Sequence, residues 1–219
     1  MTGRIPIKQR TYYVLSLGTL IASVAIASNL YPTFYDWQYT VVSALASSKH
    51  NPQGYAYLSA GISISMAFLF PYAAGLTVLK PGEKRSVRAL KTGIIFGILT
   101  GVESLATPGW PASLDKVHEA LALFCFLFTY GGILGYAISR AKSNRSLIWP
   151  AAVIVAPIAA IGICQLSLYL GQRDLGWVDQ SWRDMGIPLW QSFAFWQWIA
   201  LWSLWAAAGM IGFLSPRTD

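Results

Sequence analysis

Ser113-Leu-Asp115-Lys116-Val-His118-Glu119-Ala-Leu-Ala-Leu-Phe124 passes without a break from a cluster of ionisable side chains into a long apolar run. The apolar run continues to Ala137, enough for the roughly 20 helical residues that a bilayer core requires. The stretch therefore places charge at the mouth of a membrane span. Only two histidines occur in the 219-residue chain, and His118 is the one that apolar sequence surrounds. A charged group at the bilayer centre costs about 2.5 kcal/mol or more, which makes an ionisable residue there a functional candidate by default.

Working outward, five further apolar segments share this character, with spans expected at about 13–31, 55–79, 92–108, 113–138, 147–170 and 188–214. The fold class is all-α, an integral membrane bundle of six transmembrane helices. Residues 1–219 are read as one domain, because the second, third and fourth connections are too short to hold another. Composition agrees: 55% of residues are hydrophobic and 11% charged, against roughly 25% charged in soluble domains. The net charge of +7 is spread in short clusters between apolar runs. That pattern is a topology signal, and nucleic acid is excluded as a partner. Twelve of the sixteen Lys and Arg fall in the N-terminal arm, the second and fourth connections and the tail. Both termini are accordingly expected in the cytoplasm and the protein in the cell (plasma) membrane. The first apolar run lacks a clear small-residue cleavage site and reads as a retained span.

The connections differ in kind. The first, about Tyr31 to Gly54, is crowded with Tyr31, Phe34, Tyr35, Trp37 and Tyr39, a composition suited to the headgroup layer. Thr40 to Ser48 is compatible with a short interfacial or re-entrant helix, ended by Asn51-Pro52-Gln53-Gly54. His50 in this loop is expected to face solvent. Lys80 to Lys91 reads as a strongly basic hairpin. Gly93, Gly97 and Gly101 then recur at four-residue spacing, the pattern of a tightly packed helix face. Pro108-Gly-Trp-Pro111 makes a sharp turn, with Ser113 as a helix cap. Cys125 and Cys164 lie inside apolar runs and read as small buried hydrophobes. In the sixth span Trp198, Trp202 and Trp205 at i, i+4 and i+7 form a packing or lipid-facing stripe.

Depth arithmetic ties distant residues together. At about 1.5 Å per residue, Glu103 lies about 7 Å inward from Pro108 and His118 about 7 Å inward from Ser113. The short turn makes these spans antiparallel neighbours, so Glu103 and His118 are expected to meet. Asn29, Ser59, Gln165 and Gln191, with Asp115 and Glu119, fall near the same outer level and are expected to line a polar pocket. The inner half of the membrane offers nothing comparable in the sequence.

Three readings remain open for this belt. In an enzyme, His118 is the acid or base, Glu103 orients it, and Ser43 or water is the nucleophile. In a binding or permeation site for a small solute, lipid or proton, Glu103 and His118 are the protonatable pair. In a structural reading they satisfy one another and lock the helix order. The function favoured is lipid handling or modification at the outer leaflet, and the alternative is a non-catalytic transport or assembly subunit in which Glu103 and His118 are structural. Membrane lipids are the expected partners, and a protein partner or second copy within the membrane is compatible with either. No cofactor follows from the sequence. A metal site would consume every acid near His118, a bis-histidine haem has no support, and no lysine lies in mid-span to hold retinal. The glycines of the third span make no phosphate loop, because no strand precedes them.

On Val42-Ser43-Ala-Leu45 in the first outer loop, the glycine-rich second and third spans and His118 at the start of the fourth, the chain resembles a broad family of six-span membrane proteins. That family includes the DRAM and Sfk-type proteins. The resemblance covers most of the chain through short motifs. It implies six helices, cytoplasmic termini and, in one eukaryotic branch, a role in lipid-anchor remodelling. It implies no catalytic assignment.

Overall fold

The structure, a computed structural model, describes residues 7–106, 108, 115–171 and 182–214. Seven α-helices occur among them: α1 (Ile7–Asn29), α2 (Val42–Leu45), α3 (Tyr55–Ala74), α4 (Pro81–Ala106), α5 (Asp115–Ala141), α6 (Ile148–Leu170) and α7 (Phe193–Leu214). All but the four-residue α2 are long and apolar enough to cross a membrane, and the six alternate in direction. The architecture is that of a multi-pass membrane protein. Its outer surface agrees, since Val14 and Ile21 of α1, Leu123 and Leu127 of α5 and Ile163 and Leu166 of α6 are all exposed. Apolar exposure on that scale is a lipid-facing surface.

Helices α1, α3, α4 and α5 pack in chain order, and α6 packs on α7. Helix α7 closes the bundle, because three tyrosines from three helices donate to its backbone. Tyr13 of α1 bonds the Trp205 carbonyl at 2.8 Å, Tyr72 of α3 the Ala208 carbonyl, and Tyr130 of α5 the Ala200 carbonyl. One buried cluster, with Leu20, Leu69, Ile94, Ile133, Ile154 and Leu204, draws on all six long helices. Trp198 and Trp205 are buried and Trp202 half-buried, so the tryptophan stripe is a packing stripe.

The glycine face of α4 is closely packed on two sides. A methyl group on Gly93 would lie 2.4 Å from the Thr129 backbone nitrogen of α5, and one on Gly101 would lie 2.4 Å from the Ser59 carbonyl of α3. Such approaches admit no side chain.

Several expected boundaries move. The basic segment 80–91 is not a hairpin but the first turns of α4, which begins at Pro81 instead of 92. The local chemistry explains this: Pro81 takes the first helical position, and the Glu83 carboxylate accepts the Leu79 N–H at 2.7 Å and the Lys80 N–H at 3.3 Å. Helix α3 stops at Ala74, with Gly75 as its cap, short of the expected 79. Helix α1 starts at Ile7, well before 13. Single 3₁₀ turns, Arg145–Leu147 and Leu189–Gln191, precede α6 and α7. The turn 109–114, with the Ser113 cap, lies outside the described residues.

The end of the bundle opposite residues 7 and 214 is covered by two interlocked loops. Asn51, fully buried, donates to the Ala27 and Leu45 carbonyls at 2.9 and 3.1 Å and accepts from Gly54 N–H at 3.0 Å. Tyr39 donates to the Ile187 carbonyl at 2.7 Å, and Arg183 grips Asp36 through Nε at 2.6 Å and Nη2 at 3.0 Å. That carboxylate, chiefly through the hydrogen bond, raises the pKa of the Arg183 guanidinium above its ordinary value.

Candidate functional site

Helix α4 ends and α5 begins at the loop-covered end of the bundle, and there the two helices meet through Glu103 and His118. The helical period turns Gly97, Thr100, Gly101, Glu103 and Ser104 inward and leaves Val102 and Leu105 exposed. His118 Nδ1 lies 2.8 Å from Glu103 Oε2 and 3.2 Å from Ser104 Oγ. Ser104 also donates to the same carboxylate oxygen at 3.4 Å. The expected meeting of Glu103 and His118 is thus present, and Ser104, which sequence reasoning passed over, joins it. Its signal was its place next to Glu103 in the last full turn of α4.

Beside an ionised carboxylate, which only accepts, a neutral imidazole carries its proton on Nδ1 and leaves a lone pair at Nε2. Glu103 is 5% exposed and the His118 side chain 29%. Among the described residues, the ring's hydrogen bonds run through Nδ1, to Glu103 and Ser104, which are both buried. Val102 and Leu105 of α4 and Lys116, Val117 and Glu119 of α5 are exposed near this pair in the sequence.

The remaining expected residues go to separate neighbours. Asn29 is exposed and donates to the Ala25 carbonyl of its own helix at 2.8 Å. Ser59 is buried and reaches the Ala46 carbonyl at 3.5 Å. Gln191 bonds Ser167 Oγ at 3.1 Å, Gln165 is half-buried on α6, and Glu119 is exposed. Asp115 opens α5, and its side chain lies outside the described residues. Ser43 sits on α2, which packs against α1 and α7, so the structure does not bring it to His118. His50 is exposed. Among the described residues no three His, Cys, Asp or Glu side chains gather as a metal ion would need.

The opposite end of the bundle holds a second buried charge pair, which the sequence reading did not assemble. Glu83 and Arg140, fully buried and 3% exposed, approach to 3.5 Å. Arg140 Nη2 also donates to the Thr77 carbonyl at 3.1 Å, and Tyr136 donates to the same oxygen at 2.8 Å. The sequence reading counted Arg140 as a topology marker and gave Glu83 no role. Glu83 two residues after the Lys80-Pro81 step was the available sign of an inward-turned acid.

No family model, curated protein or solved structure matches the chain.

Because Glu103 and His118 share a hydrogen bond and sit in low dielectric, they are expected to behave as one unit. In a double-mutant cycle of Glu103→Gln and His118→Gln, read by thermal stability in detergent, the coupling should exceed about 0.5 kcal/mol. Additive effects would show that the contact carries no energy.

Proposed function

We propose that the chain handles lipid at the membrane leaflet nearest the His118 site, with His118 as the proton acceptor and Glu103 and Ser104 as the groups that orient it. The observation that carries this reading is the half-open imidazole: Nδ1 is held at 2.8 Å by a buried carboxylate while the His118 side chain stays 29% exposed, at the end of two helices whose Val102, Leu105 and Val117 are also exposed. In this role Nε2 takes a proton from water or a lipid hydroxyl as its oxygen bonds to the ester centre of a lipid, and Glu103 stabilises the imidazolium that forms. The imidazolium returns the proton to the alkoxide that departs as the ester C–O or P–O bond breaks. Ser104 hydrogen-bonds the Nδ1 side of the ring, which suits an orienting role better than a nucleophilic one. The proposal places that leaflet outermost in the plasma membrane, with the ends of α1 and α7 in the cytoplasm. Membership of the DRAM and Sfk-type family is part of it and rests on the same short motifs.

The competing reading, a structural pair in a non-catalytic subunit, draws on the mutual satisfaction of the two side chains. His118→Gln separates the two, since glutamine keeps a donor for Glu103 and removes the base. Under the enzymatic reading, the change in membrane lipid composition that accompanies production of the wild type should fall by about a hundredfold or more in rate, with the variant still folded in the membrane. An unchanged lipid profile in both strains would sink the lipid-modifying reading. Orientation has its own test: cysteines at Ser86 and Asn144 should react only from the cytoplasmic side. Labelling of either from outside would invert the arrangement.

A further inference from the structure

Because α4 starts at Pro81, its basic residues are held on a helix face of fixed direction. Val87 and Leu90 are buried against the bundle, so that face cannot turn away. Lys84, Arg88 and Lys91 fall at i, i+4 and i+7, with Arg85 beside them. The same face continues without interruption into Ile95, Leu99 and Val102, which are 48%, 44% and 49% exposed. Charge thus stands directly above a lipid-facing apolar stripe. The nearest acid does not dilute it, because Glu83 is fully buried and paired with Arg140.

Depth fits the same picture. The 26 residues of α4 extend about 39 Å at about 1.5 Å each, against about 30 Å of hydrocarbon core. The first two turns therefore stand at the headgroup layer. Lys84, Arg85 and Arg88 are exposed there, while Lys91, half-buried, holds its ammonium 5.0 Å from the Phe70 ring centre of α3.

From this register we infer that α4 binds an anionic phospholipid of the surrounding leaflet, its phosphate on Lys84, Arg85 and Arg88 and an acyl chain along Ile95 and Leu99. The site lies at the other end of the bundle from His118 and is independent of the function proposed for that residue. A zwitterionic lipid lacks the net charge, and a free phosphate lacks the chain that the lower half of the stripe receives.

Native mass spectrometry of the detergent-purified protein tests this with phosphatidylglycerol, phosphatidylcholine and inorganic phosphate as probes. The wild type should retain phosphatidylglycerol at least about tenfold better than phosphatidylcholine, and millimolar inorganic phosphate should not displace it. Lys84→Gln/Arg85→Gln/Arg88→Gln should weaken retention on the order of a hundredfold, since each basic residue at an anionic surface contributes about a factor of five. Lys84→Arg/Arg85→Lys/Arg88→Lys should retain it. Should the triple neutral variant not insert, Arg88→Gln alone should show the fivefold loss. Equal retention of the two lipids, undiminished phosphatidylglycerol in the neutral variants, or displacement by inorganic phosphate would each overturn the assignment.

Discussion

Arg140→Met is expected to destabilise the protein by about 3–5 kcal/mol, because it strands a carboxylate in a site sealed from solvent. Glu83 is fully buried, and its Oε1 faces the Arg140 guanidinium at 3.5 Å. The other carboxylate oxygen is committed to the Leu79 and Lys80 N–H groups at the start of α4. Removing the arginine also takes a donor from the Thr77 carbonyl, which keeps only the Tyr136 hydroxyl. A neutral replacement on both sides should recover most of the loss. In Glu83→Gln/Arg140→Met the amide oxygen still accepts from the helix start, and no unpaired charge remains. Denaturant or thermal unfolding in detergent reads both variants. A single variant as stable as the wild type would mean that Glu83 is open to water and α4 is not anchored through this pair.

Two adjacent glycines of α5 provide the second large effect. A methyl group added to Gly132 would lie 2.5 Å from the Leu90 backbone nitrogen and 2.7 Å from its Cα, whereas one added to Gly131 meets nothing within 4 Å. Backbone cannot rotate aside as a side chain can, so Gly132→Ala must push α5 off α4, at a cost of about 1–3 kcal/mol. The shift should propagate, because α4 and α5 form the most extensive helix pair and carry Glu103 and His118 at its far end. Gly131→Ala should be neutral or stabilise by up to about 1 kcal/mol through helix propensity. Equal effects at the two positions would contradict the packing register of α4 on α5.

The pairing of Glu103 with His118 was legible because it depends on local quantities: a short turn, two antiparallel spans and a rise per residue shared by all α-helices. Ser43 was not placeable in the same way. It lies in the long connection Tyr31 to Gly54, whose path is determined by contacts with residues far along the chain. Val42 N–H bonds the Gln197 side chain at 2.9 Å, and Tyr35 receives the Trp198 indole N–H at 3.2 Å. Neither partner is marked in the sequence as a partner. The polar residues of the outer level divided for a related reason. Depth gives the height of a residue in a span, but rotation about the helix axis decides its neighbour, and that rotation is set by side-chain packing.

By itself the sequence determined the six apolar helices, their alternating direction, the close packing of the Gly93, Gly97 and Gly101 face and the meeting of Glu103 with His118. Each follows from hydropathy, helix geometry or the small volume of glycine, properties that a residue carries wherever the chain goes. Only the tertiary structure decided that residues 81–91 belong to α4, that Glu83 turns inward to Arg140, and that α7 is clasped by Tyr13, Tyr72 and Tyr130. Those contacts join residues 57 to 192 positions apart. Their energy comes from removing paired polar groups from water and lipid together, which no single segment can do before the helices have assembled.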